Sequence, residues 1–154
     1  MSTSAAPLTI DIVSDVVCPW CYIGKRHAEA AISQWREKHP DAPVTVRWHP
    51  FQLNPDLPPA GTDRKAYLEE KFGGPQRAKE IYARVGAAGR TAGLELNFDG
   101  IKRQPNTLAA HALIAYAQSV DGGAHGDAVA ERLPYLQELG VTLNLSHDAN
   151  AGNV

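Results

Sequence analysis

Fifteen basic against seventeen acidic side chains leave this 154-residue chain at a net charge of −2, with 44% hydrophobic and 21% charged residues. That length supports one domain with a real core, and the charge balance excludes the basic footprint expected of a nucleic-acid surface. No stretch approaches the roughly 18 apolar residues of a membrane span, and the start "MSTSAAPLTI" lacks the basic and apolar regions of a secretory signal, so the chain reads as cytoplasmic.

"LTIDIV" (8–13) alternates apolar and polar positions with β-branched residues and reads as a central strand. A helix follows from Pro19 to about Lys38, because proline suits the first helical position, where its missing N–H would have no partner. Ile23, His27, Ala30, Ala31, Gln34 and Trp35 would form its partly apolar face. "HPDAP" (39–43) ends the helix, and "VTVRW" (44–48) is the second strand. Strand, helix, strand is the sequence form of a parallel crossover unit.

The proline-rich stretch 49–63 reads as a loop. Helical segments follow at 63–72 and, after a Gly-Gly break, at 73–94. "PNTLAAHALIAYAQSV" (105–120) is a strong helix. Asn106 or Thr107 can cap it, and Leu108, Ala112 and Ala115 form an apolar stripe with Leu113 and Tyr116 beside it. The segment 126–139 is helical with a break at Pro134, "GVTLNL" (140–145) is one short strand, and the tail is flexible. The expectation is an α/β chain in three parts: strand–helix–strand over 1–60, an all-helical insertion over 61–139, and an incomplete return to the sheet over 140–154.

The chain's two cysteines, Cys18 and Cys21, lie in "SDVVCPWCYIGK" (14–25), between the first strand and the helix. A helix starting at Pro19 places Cys18 where unpaired N–H groups and the positive end of the helix dipole favour a thiolate. Such cysteines commonly have their pKa lowered from about 8.5 into the range of roughly 3.5–7.5. Cys18 is therefore the nucleophile. Cys21, one turn on and expected to be more buried, is the resolving thiol of a disulfide exchange. Pro19 fixes the turn, and Trp20 can lie over an apolar substrate surface. Neither brings a cation, so the helix terminus is expected to do most to hold the thiolate. Asp15 reads as a turn former, with proton acceptor as its alternative role.

Two other readings compete. A zinc site needs about four ligands, and His27, His39, His49, His111, His125 and His147 form no His-x₃₋₅-His pair to join the two cysteines. Two inert core thiols are a poor fit to a proline between strand and helix. His49 could approach the thiols, although a loop histidine is more often a packing or surface residue. Asn106 could contact a ligand, although capping accounts for it. His111 reads as a hydrogen-bonded interior residue, Trp35 and Trp48 as core or interface aromatics, and "EEK" and "RAKE" as solvated helix faces.

"SDVVCPWCYIGK", followed by "WHPFQLNP" (48–55) and "PNTLAAHALIAYA" (105–117), resembles the DsbA-like thioredoxin superfamily, in its FrnE-like branch. The resemblance covers roughly residues 8 to 132. It implies a thioredoxin-like fold interrupted by a helical domain, and a thiol–disulfide oxidoreductase with Cys18 as nucleophile and Cys21 as resolving cysteine. Relatives with serine at the first position resemble glutathione-dependent isomerases of hydroxychromene-type acids, a role the two cysteines argue against. The family pattern continues with a cis-proline segment facing the cysteines, and from about Leu133 this chain departs from it. The resulting expectations are an incomplete substrate groove, a truncated or altered sheet with an open edge on the first strand, and a second copy or partner to cover that edge. An intact dithiol on an impaired binding module is the other functional class. The exchange calls for no bound cofactor or metal; its partners are protein or small-molecule disulfides and thiols, with neither nucleic acid nor membrane.

Overall fold

A computed structural model describes residues 6–120 and 124–138. Strands β1 (Leu8–Ser14) and β2 (Val44–Pro50) pair in parallel, in register from Leu8 opposite Val44 to Ser14 opposite Pro50. Alternation along each strand sends Ile12, Val46 and Trp48 to the core, while Thr9, Asp11, Val13, Thr45, Arg47 and His49 face outward. Among the described residues β1 has no second strand partner. The crossover is α1 (Pro19–Lys38), with Pro19 in its first turn and Arg36 and Lys38 in its last.

The face that α1 buries is only in part the one its periodicity suggests. His27, Ala30, Ala31 and Gln34 are exposed. Of the expected face, Ile23 is buried and Trp35 half-buried, and Lys25, from outside it, is the other buried residue. The reason is that α1 lies between two cores. On one side Ile23 and Tyr22 pack with Val85, Leu94 and Phe98. On the other, Lys25, Ala28 and Ile32 border a cavity with Ile12, Val46 and Trp48. Two buried sides leave no single stripe for a 3.6-residue pattern to report.

The helical region opens with β3 (Thr62–Asp63) and α2 (Arg64–Phe72). Asp63 caps α2 by accepting from the Ala66 N–H at 2.9 Å, and Gly73 ends it in the left-handed conformation. After α3 (Pro75–Thr91) and a 3₁₀ turn (Phe98–Gly100), β4 (Arg103–Gln104) pairs antiparallel with β3 and ties the start of this region to its middle. At Gly61 a Cβ would lie 2.5 Å from the Gln104 carbonyl, and φ is +68°, so glycine is required where the strands meet.

Helices α4 (Leu108–Val120) and α5 (Ala124–Glu138) pack against each other and against β2. The apolar stripe expected on α4 is on the wrong side: Leu108, Ala112, Leu113, Ala115 and Tyr116 are exposed, and Ala110, His111, Ile114 and Ala117 are buried. This helix is apolar almost all round, so spacing alone does not choose a face; the close approach of α5 and the sheet selects the smaller residues. The side chain of Gln118 supplies what a strand would: its Oε1 accepts from the Trp48 N–H at 2.6 Å and its Nε2 donates to the Trp48 carbonyl at 3.0 Å. Helix α5 continues through Pro134 rather than breaking there. The segment 140–145 lies outside the described residues. No helix among them is long and apolar enough to cross a membrane.

Candidate active site

Cys18 is the N-cap residue of α1, with φ −89° and ψ 110°, and Pro19 follows in the first turn. Its backbone N–H donates to the Asp15 carbonyl at 3.0 Å, and its own carbonyl accepts from the N–H groups of Cys21 and Tyr22 at 3.0 and 3.2 Å. The turn before the helix and the first turn of the helix thus both pivot on this residue. Both cysteines are free thiols and both are half-buried, so burial does not separate them.

The proton separates them. The thiol of Cys21 hydrogen-bonds the sulfur of Cys18, and this is the largest influence bringing Cys18 down to about 6, against a smaller opposing effect of burial. The backbone N–H groups of Cys21 and Trp20 add to it, as the helix terminus requires. The same sulfur–sulfur hydrogen bond, together with burial, holds Cys21 far above the ordinary thiol range. The partner thiol and the N–H groups of the helix terminus thus act on the Cys18 sulfur in the same direction.

Asp15 makes the expected turn with its backbone, but its side chain does something the sequence does not announce. It is 2% exposed, and its carboxylate accepts from the Leu53 N–H at 2.8 Å and from His111 Nε2 at 3.2 Å. Burial pushes this carboxyl up; hydrogen bonds from His111, Leu53 and Thr107 outweigh it and hold the group below its usual range. The charge raises both thiols. The Asp15 side chain therefore ties the start of the cysteine loop to the 49–63 loop and to α4 while its charge opposes ionisation of the pair.

Trp20 is exposed beside the thiols. Asn106 accepts from the Leu108 N–H at 2.9 Å and donates to the Leu57 carbonyl at 2.7 Å, so it caps α4 and pins the proline-rich loop. His49 lies on the outer face of β2, where its Nε2 is 2.7 Å from the Asp11 carboxylate. It borders neither of the two cavities at the cysteines. This is the surface position the sequence favoured over an approach to the thiols, reached from a strand rather than a loop: β2 continues through Pro50, and position 49 falls on the outward side of the pleat.

Those cavities bring in residues that local sequence could not nominate. One, of about 30 Å³, is bordered by Cys18, Pro19, Tyr22, Arg64, Phe98 and Pro134. The other, of about 20 Å³, lies behind both thiols beside Asp15, Lys25, Trp48 and Pro134. Pro134 thus faces the cysteines from α5, with a trans peptide bond, as every described bond is. No group of three or more potential metal ligands occurs among the described residues.

A two-stranded parallel unit with a Cys-x-x-Cys at the start of its crossover helix, overlaid by helices, defines a thioredoxin-like fold of the DsbA type. The chain belongs to the DSBA-like thioredoxin domain family, whose model matches residues 9–136. It is similar to the uncharacterized protein YwbO of Bacillus subtilis (strain 168), at 30% identity over 118 residues, 74% of this chain and 50% of that protein. Its fold is similar to that of a probable DsbA oxidoreductase, SCO1869, from Streptomyces coelicolor, with a TM-score of 0.68 at 24% identity over 90% of this chain and 56% of the other. The chain spans about half the length of each of these two proteins.

Proposed function

We propose that this chain carries the dithiol centre of a thiol–disulfide oxidoreductase of the FrnE-like type, with Cys18 as nucleophile and Cys21 as resolving cysteine. The observation that carries the reading is the place of Cys18 at the N-cap of α1, with Cys21 one turn on and its N–H donating to the Cys18 carbonyl at 3.0 Å, and with the Cys18 thiol brought down to about 6. At neutral pH Cys18 is mostly thiolate, the species that attacks a disulfide. The Cys18 sulfur forms a bond to one substrate sulfur, and the other leaves as a thiolate that takes a proton. Cys21 loses its proton and attacks the Cys18 sulfur of the mixed disulfide. The second substrate thiol is released and the protein disulfide closes. Two protein thiols supply two electrons and two protons to one substrate disulfide, and the reverse sequence oxidises a substrate dithiol.

Pro19 shapes the turn, Trp20 offers an apolar surface to the substrate, and Asp15, held by His111, positions the loop. Asn106 acts by pinning the loop before α2. The substrates are protein or small-molecule disulfides and thiols, and the exchange uses no bound cofactor. A partner or a second copy covering the edge of β1 that no described strand pairs is the assembly this reading suggests. Reduction of insulin disulfides, with dithiol titration, tests the assignment. Activity that falls to the uncatalysed background in Cys18→Ser supports it. Turnover that survives this substitution, or an intact dithiol that never turns over, overturns it.

A further inference from the structure

Arg64, the first residue of α2, is 8% exposed, and it borders the cavity that Cys18 opens into. Its guanidinium lies over the rings of Tyr82 and Phe98, with centroid distances of 4.8 and 5.8 Å. One Nη donates to the Phe98 carbonyl at a long 3.4 Å. The Nε is buried with no hydrogen-bond partner, and no carboxylate among the described residues forms an ion pair with this side chain. An arginine has five N–H donors and stays charged at any pH a protein meets. Leaving such a group buried and unpaired is costly. Ring faces recover part of that cost, but they accept no in-plane hydrogen bond.

The surroundings suit an acid. On its other side Arg64 borders a groove of about 630 Å³, where Lys65, Lys79 and Arg90 outnumber Glu69 and Asp99. That volume is in the range of small-molecule sites. The cavity at Cys18 is much smaller, about 30 Å³, room for a polar head rather than a whole ligand. Leu96 and Phe98 border both spaces, so Arg64 stands at their boundary. A planar guanidinium with free donors is the group best matched to a carboxylate.

We propose that Arg64 anchors the carboxylate of a small acidic thiol or disulfide whose sulfur reacts at Cys18, the body of the ligand lying along the groove between α2 and α3. The inference rests on Cys18 being the nucleophile. The chemistry is unchanged by it: the Cys18 sulfur bonds to the nearer ligand sulfur, the farther sulfur leaves as a thiolate and is protonated, and Cys21 then closes the protein disulfide. Arg64 takes no part in bond making. It sets which disulfides are presented.

The test compares two disulfide probes on the reduced protein, the dianionic 3,3′-dithiodipropionate and the uncharged bis(2-hydroxyethyl) disulfide. The readout is the ratio of their second-order rate constants for oxidising the Cys18–Cys21 pair. Removing a charge-assisted hydrogen bond should lower the anionic-to-neutral ratio about tenfold in Arg64→Met, and Arg64→Lys should restore a large part of it. A ratio in Arg64→Met within twofold of that of the unaltered protein overturns the proposal while leaving Cys18 as nucleophile. An unaltered protein that reacts with neither probe sinks the nucleophile reading, and this proposal with it. A second measurement needs no substitution: alkylation of Cys18 by iodoacetate relative to iodoacetamide. The ratio should be several-fold higher than for a free small thiol, and a ratio at or below that of the free thiol counts against the anchor.

Discussion

Lys25 and Arg64 are the two buried cations among the described residues, and they have opposite surroundings. Lys25, 5% exposed, faces Glu29, Asp127 at 3.5 Å and Glu131 at 3.0 Å. Burial pushes its ammonium down, and these carboxylates more than reverse that, so it stays charged. Arg26 joins the same cluster through Glu29 and Glu131, and the Tyr22 hydroxyl donates to Glu131 at 3.0 Å. Every carboxylate in it comes from α1 or α5, so the cluster clamps two helices of the fold together. Arg64 has two rings, one long hydrogen bond and an orphaned Nε. A buried charge whose counter-charges belong to the fold is a structural device. Arg64, with no counter-charge among the described residues, is where we place a ligand.

Stability separates the two cations most sharply. In Glu131→Ala both Lys25 and Arg26 lose a partner while Lys25 stays buried. Removing one member of a buried pair typically costs 3–5 kcal/mol, and because Glu131 is itself partly exposed, about 2–3 kcal/mol is expected here. The urea midpoint reads this directly, and a change near zero would show that the clamp is ornamental. In Arg64→Met the fold loses no ion pair, only ring contacts and one long hydrogen bond, and it is relieved of an unpaired charge. The net change is expected to stay within about 1 kcal/mol, of either sign. A loss as large as that of Glu131→Ala would place Arg64 with the structural cations and break the contrast.

The cysteine site supplies an intermediate effect. The rate of Cys18 alkylation should rise with pH about a midpoint near 6, where the thiolate forms. Replacing Cys21 by alanine removes the hydrogen bond that does most to lower that value, so the midpoint should move up, toward the ordinary thiol value of about 8.5. The sign is fixed: a donor to the charged form has gone, so ionisation needs a higher pH. A midpoint that stays near 6 in Cys21→Ala would return the leading role to the helix terminus. Cys21 itself, held far above the ordinary range, should be alkylated much more slowly than Cys18 at mildly acidic pH.

What local chemistry dictates was legible. Proline after Cys18 started α1 where expected, alternation placed both strands, and the Gly-Gly break separated α2 from α3. Less legible was any face chosen by a distant neighbour. Lys25 and Glu29 at i,i+4 look like an exposed helix pair until α5 covers them. Arg64, in "TDRKAYLEE", reads as a solvated helix start. Asp15 and His111 lie 96 positions apart, and nothing near either one predicts the other. Asn106 was legible as a cap, whereas the hydrogen bond to Leu57 that pins the loop was not.

By itself the sequence determined the dithiol: two cysteines a helical turn apart with proline between them set the N-cap, because backbone geometry and capping act over a few residues. Only the tertiary structure decided which carboxylate is buried against the thiols, and which buried cation has no carboxylate partner among the described residues. Those outcomes depend on desolvation and on hydrogen bonds between segments far apart in the chain, and neither exists until the helices close over the sheet.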